Sequence, residues 1–491
     1  MRAKTLRTLS IIYLMLPNFV FYYSWTTTSI AVAGIVLLVY ILFDEFKEPS
    51  FGTEAAFDLK DILIVLTFAL ILTAISGING YFYQSKDYWA HNAKFQELFT
   101  YRWPVRLPDD TSAVISYYYG FYVVPSLFSK LAGHISEVVI FFWTFIGLAL
   151  GIGWLYLSVH KKILYVWLIL CLGDLPRVFM ALLNLFSGSL YSLDEFGIEN
   201  WSVFENLFWV PNQVIPALII AGMFMYVLLK NGNISLLVLP IALSFWWAIF
   251  PAFVGGLLVA ILVIREWIDS RFNIEWDVVI RKVFLPFIAC VPVLILFFSH
   301  ETIPVSGFLW EFDLDMNNMI KMYAANILIN VALFFGTYLY IRKVQGNVLK
   351  PLPFYISIFL CLVFPLYRMG EVNDLLIRGM MPVLVIVGIY LFHPLTELTI
   401  KQTWKIVKSS GAFLVFALLL VSSSLLGAVR LWRAASVNQL SDPTFKPMPY
   451  DVYPNVYEAL KAEWSQEGAD QYTGDINSFY EKYIAPQHKS P

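Results

Sequence analysis

The chain has 491 residues, of which 59% are hydrophobic and only 14% charged, with a formal net charge of −2. A soluble domain carries about 25% charged residues to solvate its surface, so this composition excludes an ordinary water-soluble globule. The near-zero charge, with a pI near 6.3, gives no global basic face and argues against nucleic acid as a partner.

Apolar runs of about 17–25 residues, the length that crosses the hydrocarbon as a helix, recur along the chain. Strand-type alternation is absent, so the expected fold is all-α, a polytopic bundle of about thirteen transmembrane helices. The runs centre on residues 9–24, 27–44, 60–79, 136–158, 163–183, 206–229, 234–250, 252–265, 281–298, 319–341, 353–367, 378–393 and 411–430. The first, LSIIYLMLPNFVFYYSW after MRAKTLR, is long, aromatic and without a small-x-small cleavage site, which predicts a retained helix rather than a signal peptide. Cys171, Cys290 and Cys361 all fall in apolar runs with no CxxC or histidine-rich spacing. They indicate neither a disulfide framework nor a zinc site.

The stretch from Thr111 to Ala132 is ambiguous, because Gly120 and Pro125 interrupt it and Tyr117, Tyr118 and Tyr119 head it. Tyrosine favours the membrane interface, so a helix lying on the surface or re-entering it is expected over 113–132. Leaving this stretch out of the count puts Arg2, Lys4, Arg7, Lys161, Lys162, the Arg265–Lys282 loop, Arg342, Lys343 and Lys401–Lys408 on one side. By the positive-inside rule that side is the cytoplasm, which receives the N-terminus. The loops Gly80–Ser136, Ser187–Glu205, Ser299–Asn318 and Tyr367–Arg378 then face outward. Two domains follow: a transmembrane domain over 1–433 and a small extracytoplasmic tail over 434–491. The tail is polar, with Pro443, Pro447, Pro449 and Pro454 before the helical stretch NVYEALKAEW, and its expected place is a lid or strap on the outer face.

The first long outer loop holds the densest polar chemistry. Asp87 and His91 are four apart and share a helical face, with Asn92, Lys94, Glu97 and Arg102 close behind. A carboxylate in a partly desolvated groove can act as a general base, or can anchor an acceptor hydroxyl or a metal; a solvated Asp–His pair fits the spacing equally. In FWVPNQ, Trp209 suits the interface, Pro211 a first helical turn, and Asn212 and Gln213 offer hydrogen bonds at a helix start, for a ligand or as plain capping. In YRMGEVNDLLIRG, Arg368 and Arg378 carry the donor fork that matches phosphate. Asn373 and Asp374 stand ahead of Arg378 as caps, and pairing of Arg378 with Asp374 or Glu371 is the plainer alternative. GDLPR places Asp174 and Arg177 within an apolar run, as a functional intramembrane pair or as mutual partners at i,i+3. Glu311, Asp313 and Asp315 add negative charge without histidine or EF-hand spacing, so they define no metal site. Asn200–Trp201–Ser202 is a glycosylation sequon.

An early aspartate after a transmembrane helix, in a long outer loop followed by an aromatic amphipathic stretch, resembles the C-type (GT-C) glycosyltransferases. FWVPNQVIPA (208–217) and NDLLIRGMMPVL (373–384) are similar to segments of bacterial GT-C-like membrane proteins. The resemblance implies a bundle in the bacterial inner membrane that moves a sugar from a polyprenyl-phosphate carrier to an extracytoplasmic glycan, lipid or protein. It implies Asp87 as the catalytic carboxylate, with His91 orienting it or the acceptor, and Tyr117–Lys130 as a surface helix. Arg378 with Arg368 or Arg102 would hold the lipid phosphate, alone or with a divalent metal. The first long outer loop has no DxD and no Asp–Glu pair of the kind found in protein O-mannosyltransferases, so the resemblance reaches a superfamily and not a substrate. A transporter or flippase of lipid-linked saccharides, or a polymerase of them, is the alternative; Asp174 and Arg177 are its midplane candidates.

Overall fold

The computed structural model describes residues 1–48, 56–78, 80–109, 111–187, 198, 200–302, 304–313, 315–346, 348–370, 373–438, 441–442 and 444–487. It is 72% helical with 3% strand, which establishes the all-α class. Each of the apolar runs falls on helix. Eight helices among the described residues are long and apolar enough to cross a membrane: Thr28–Lys47, Glu137–Ser158, Pro211–Leu229, Ile249–Asp269, Trp276–Phe297, Met316–Gln345, Asp374–Leu395 and Gly411–Ser436. A ninth forms if Ile163–Leu170 and Leu172–Leu183, bent by 43°, count as one span. The remaining runs fall short for identifiable reasons. Leu59–Ile75 has 17 residues, Ile234–Ser244 and Leu352–Leu366 are shorter apolar helices, and Ala3–Trp25, at 23 residues, carries Lys4, Arg7 and Asn18.

The helices divide by what surrounds them. The Asp374–Leu395 window is 94% buried and the Pro211–Leu229 window 83%, whereas Thr28–Lys47 is 28% buried. A helix apolar on every face needs protein or lipid all round it, so the first two form the axis of the bundle and the last its lipid-facing rim. Glu137–Ser158 packs closely along Pro211–Leu229 because Gly222 lies under Trp154. A Cβ on that glycine would sit 2.4 Å from the Trp154 Cβ.

One end of the bundle gathers the basic clusters. The N-terminal amine donates to the Phe57 carbonyl (2.7 Å), and Lys161 pairs with Asp61 (2.6 Å). Lys282 pairs with Asp44 (2.7 Å) and Glu48 (2.8 Å). Arg7 is not a solvated flank. Its guanidinium is buried against Glu45 and donates to the Leu236 carbonyl (3.0 Å). Helix Ala3–Trp25 leads from this end to the opposite one, where the polar outer-loop residues collect.

Over 111–132 the chain forms a 13-residue helix, Gly120–Ala132, about 20 Å long at the α-helical rise and so too short to cross a ~30 Å core. It exposes Leu127, Phe128 and Leu131 on one side and turns the tyrosines at its head into the protein. Tyr117, Tyr118, Tyr119 and Tyr122 are buried, and the Gly120 N–H donates to the Trp246 carbonyl (2.9 Å). The physical reason is that the phenol hydroxyls have partners inside, described below. A short ribbon, Ser306–Phe308 antiparallel to Tyr367–Met369, sets Gly307 opposite Arg368.

The tail is fastened to this same end. The Ser116 N–H donates to the Tyr472 carbonyl (2.9 Å) and the Thr27 N–H to the Ile484 carbonyl (2.7 Å). Glu481 accepts from the Val114 N–H (2.6 Å) and pairs with Arg106 (3.1 Å). Val456, Ala459, Ala469 and Tyr480 are buried. The strap therefore reaches from the first helix to the loop after Trp276–Phe297, where the Asp475 N–H donates to the Ser299 carbonyl (2.7 Å).

Candidate functional site

Helix Tyr88–Thr100 carries the centre of the site on one face. Asp87, His91 and Lys94, at i, i+4 and i+7, all border a cavity of about 290 Å³, as helical spacing dictates. Arg378 enters from the start of the axial helix Asp374–Leu395. Its guanidinium pairs with Asp87 (3.6 Å) and Asp374 (3.0 Å) and donates to the Tyr118 hydroxyl (3.3 Å). Tyr118 also accepts from the Gln213 amide (3.2 Å) and the Tyr117 hydroxyl (3.3 Å), and Tyr117 accepts from Lys94 (3.0 Å). The two cations are thus linked through two phenols. Trp201, Asn206, Trp209 and Asn212 form another wall, and Leu460, Trp464, Gln471 and Tyr472 of the tail roof the cavity.

Desolvation sets the ionisation here. Burial raises the Asp87 carboxyl above the usual carboxylate range, partly offset by Arg378 and Lys94. Burial pushes the Lys94 ammonium down to about 7, against the pull of Asp87. His91 is pushed well below its ordinary value, by burial first and Lys94 second. Its ring is held at both nitrogens, Nδ1 at 2.6 Å from the Tyr122 hydroxyl and Nε2 at 2.7 Å from the Trp209 carbonyl. A carbonyl only accepts, so Nε2 bears the proton and Nδ1 takes the Tyr122 O–H. His91 is therefore a neutral brace that satisfies the last carbonyl of helix Val203–Trp209; its backbone N–H donates to the Asp87 carbonyl (3.0 Å), and its ring makes no hydrogen bond to the Asp87 carboxylate among the described residues.

The other sequence candidates separate. Trp209 and Asn212 line the cavity, as do Asp374 and Arg378. Pro211 stands at the first position of helix Pro211–Leu229, and Gln213 lies one layer behind the wall, bonded to Tyr118. Asn92 faces away and donates to the Met448 carbonyl (2.7 Å), holding the tail. Arg102 lies exposed beyond the end of helix Tyr88–Thr100, so it holds no ligand in this cavity. Arg368 is half-buried in the ribbon, over the Phe312 ring at 5.1 Å, and does not line the cavity either. Asn373 adopts a left-handed conformation (φ 57°) and caps the turn Asp374–Ile377, while Glu371 lies outside the described residues. Asp174 and Arg177 do not pair with each other. Asp174 accepts from the Ser202 hydroxyl (2.7 Å) and meets Arg430 (3.5 Å), and Arg177 meets Glu205 (3.6 Å), which Arg430 also binds. Glu311 caps its own turn through the Phe308 N–H (2.7 Å) and Asp315 caps helix Met316–Asn326. No group of three or more His, Cys, Asp or Glu side chains converges among the described residues. Asn200 of the sequon is buried, which withholds it from glycosylation in the folded chain.

Sequence reasoning named Lys94 without giving it a role, although its i+7 spacing from Asp87 was visible. It missed Trp201, Asn206 and the tail residues, whose approach depends on long-range packing.

A second cavity of about 390 Å³ adjoins the first. It is walled by Phe245, Phe250, Phe253, Leu294, Phe297 and Phe298, and it shares Tyr118, Asp374, Gln471 and Tyr472 with the charged cavity. Phe253 and Phe298 are 48% and 88% exposed, so the groove opens on the outside of the bundle.

Glu97 anchors the roof. Its carboxylate accepts from the Tyr119 hydroxyl and the Val456 N–H, both at 2.6 Å, and burial raises it to about 8. The protonated form is favoured by folding, so its contribution to stability is full below the unfolded value and is lost as pH rises through about 8. Lys94 runs the other way, since the native state sheds its proton before the unfolded chain does, from about 7 upward. In Glu97→Gln the amide oxygen can still accept from the Val456 N–H while its NH2 donates to the Tyr119 hydroxyl, and the side chain cannot ionise. Hydrogen exchange across helix Val456–Glu463 should therefore accelerate between pH 6 and 9 in the wild type more than in Glu97→Gln. Equal pH dependence in the two proteins would show that Glu97 does not hold the tail.

Fold and site together define a multispanning helical membrane protein whose charged cavity lies beside an apolar groove. Comparison with family models, curated proteins and solved structures found no match.

Proposed function

We propose that this protein is a membrane glycosyltransferase of GT-C type that moves a sugar from a polyprenyl-phosphate carrier to an acceptor on the extracytoplasmic side. The observation that carries the reading is the junction of the two cavities at Tyr118, Asp374, Gln471 and Tyr472. A substrate with a phosphate-linked polar head and a long apolar tail has a place for each part, and the groove opens where lipid meets the bundle. In this reading the thirteen runs cross the membrane with the N-terminus and basic end in the cytoplasm of a bacterial inner membrane. The charged cavity and the tail then face outward.

The chemistry asks for few groups. Asp87 takes the proton of the acceptor hydroxyl as its oxygen bonds to the anomeric carbon. The bond from that carbon to the carrier phosphate breaks, its electron pair leaving on the phosphate oxygen. Arg378 and Lys94 stand where that negative charge develops. A raised Asp87 pKa makes its carboxylate a stronger base than a solvated aspartate. The transport alternative leans on Asp174 and Arg177, whose charges are taken up by Ser202, Arg430 and Glu205.

The test uses the full chain in lipid nanodiscs with a polyprenyl-phosphate-linked sugar and an extract of cell-surface glycans. Release of free polyprenyl phosphate with sugar appearing in the glycan fraction is expected. Movement of intact carrier between leaflets without release would favour transport instead.

A further inference from the structure

The connection between the spans Asp374–Leu395 and Gly411–Ser436, at the basic end of the bundle, is itself a helix, Ile400–Lys408. Residues 396–399 tie it to the first span and residues 409–410 to the second. Two residues reach about 7 Å at full extension, which stays within the headgroup layer that flanks the hydrocarbon. The helix is therefore held at membrane-surface depth.

Both of its ends are fixed. Thr399 and Gln402 form a capping box, in which Gln402 Oε1 accepts from the Thr399 N–H (2.9 Å). The turn before it is pinned at Thr396, whose hydroxyl lies 2.6 Å from His160 Nδ1 and whose carbonyl accepts from Lys162. At the far end the Ser409 hydroxyl donates to the Lys405 carbonyl (2.7 Å), and Ser410 caps the next span.

The helix has three unlike sides. Val407 is buried and Ile406 half-buried against the core. Ile400 and Trp404 are apolar, yet 87% and 48% exposed. Lys401, Lys405 and Lys408 are exposed and fall within an arc of about 60° at the helical repeat. Lys408 stands over the Trp404 ring at 5.1 Å, which sets the charged row directly beside the apolar one. None of the three lysines pairs with a carboxylate among the described residues, and Glu397 is the one acid between His393 and Ser410. Uncompensated cations at headgroup depth attract anionic lipid, and an exposed tryptophan beside isoleucine offers acyl chains an apolar surface.

We infer that helix Ile400–Lys408 is a seat for anionic phospholipid: its lysine row takes the phosphate-bearing headgroup, and Ile400 and Trp404 take the upper acyl chain. The seat lies at the end opposite the charged cavity and does not depend on what that cavity does.

The full chain is placed in phosphatidylcholine nanodiscs that contain a small share of phosphatidylglycerol. Either that lipid or an equal amount of the phosphatidylcholine is brominated near the top of its acyl chains. The Trp404 fluorescence is the difference between the wild type and Trp404→Phe. Brominated phosphatidylglycerol should quench it as though enriched about fivefold, the worth of one lysine near an anionic surface. The combined variant Lys401→Gln, Lys405→Gln, Lys408→Gln should lose this excess, and the combined Lys401→Arg, Lys405→Arg, Lys408→Arg should keep it. Salt at about 1 M, where the Debye length is about 3 Å, should reduce it as well. Equal quenching by the two lipids in the wild type, or an excess that survives the glutamine variant, would overturn the seat. So would a Trp404 that neither lipid quenches, since the helix would then stand clear of the membrane.

Discussion

Asp87→Asn is expected to slow sugar transfer roughly a thousandfold, within the usual contribution of a positioned general base. Asparagine keeps the shape of the side chain and removes its basicity. Arg378 would retain Asp374 at 3.0 Å and Tyr118 at 3.3 Å, so the cavity wall should persist and carrier binding change little. The pH profile gives a second readout. The base must be ionised to work, and burial raises the Asp87 pKa, so the acid limb of wild-type turnover should sit above the ordinary carboxylate range and vanish from the residual rate of Asp87→Asn. A correctly inserted Asp87→Asn protein with wild-type turnover would remove Asp87 from the mechanism.

Arg378→Gln should damage both stability and binding, because one guanidinium serves Asp87, Asp374 and Tyr118 at once. Its loss leaves two buried carboxylates in one cavity without their shared cation. Breaking a buried pair in this way costs about 3–5 kcal/mol, read as a lower melting temperature in nanodiscs. Arg378→Lys restores a charge but not the planar fork, and a single ammonium cannot reach three partners in fixed directions. It should fold better than Arg378→Gln and still bind polyprenyl phosphate about tenfold more weakly than the wild type. Wild-type phosphate binding by Arg378→Gln would show that the arginine is structural only.

What the sequence disclosed follows from the range of the interactions involved. Membrane runs are local: lipid demands an apolar side chain at nearly every position, so each run was visible within its own window. Whether a run is long enough to cross was less visible, because helix Leu59–Ile75 stops at 17 residues and the break after Leu170 bends a run without changing its hydropathy. Asp87 and Arg378 were legible because isolated charges beside apolar helices are rare. Arg102 and Arg368 carry the same side chain as Arg378, and only packing distinguishes the one that faces the cavity. That Tyr117 and Tyr118 turn into the protein was not legible, because a phenol satisfied by Lys94, Gln213 and Arg378 reads the same as one satisfied by water.

The strap of residues 444–487 also bears on how the protein is made. Asp87 is synthesised long before Trp464, Gln471 and Tyr472, which close the cavity over it. Contacts so distant in sequence form late, after the ends they join have both been placed. An unfinished or stalled chain therefore holds its cations and acids open to water, without the dry roof that shifts Asp87 and Lys94. On the transferase reading, the dry site that the chemistry needs is assembled only once the strap of residues 444–487 has docked.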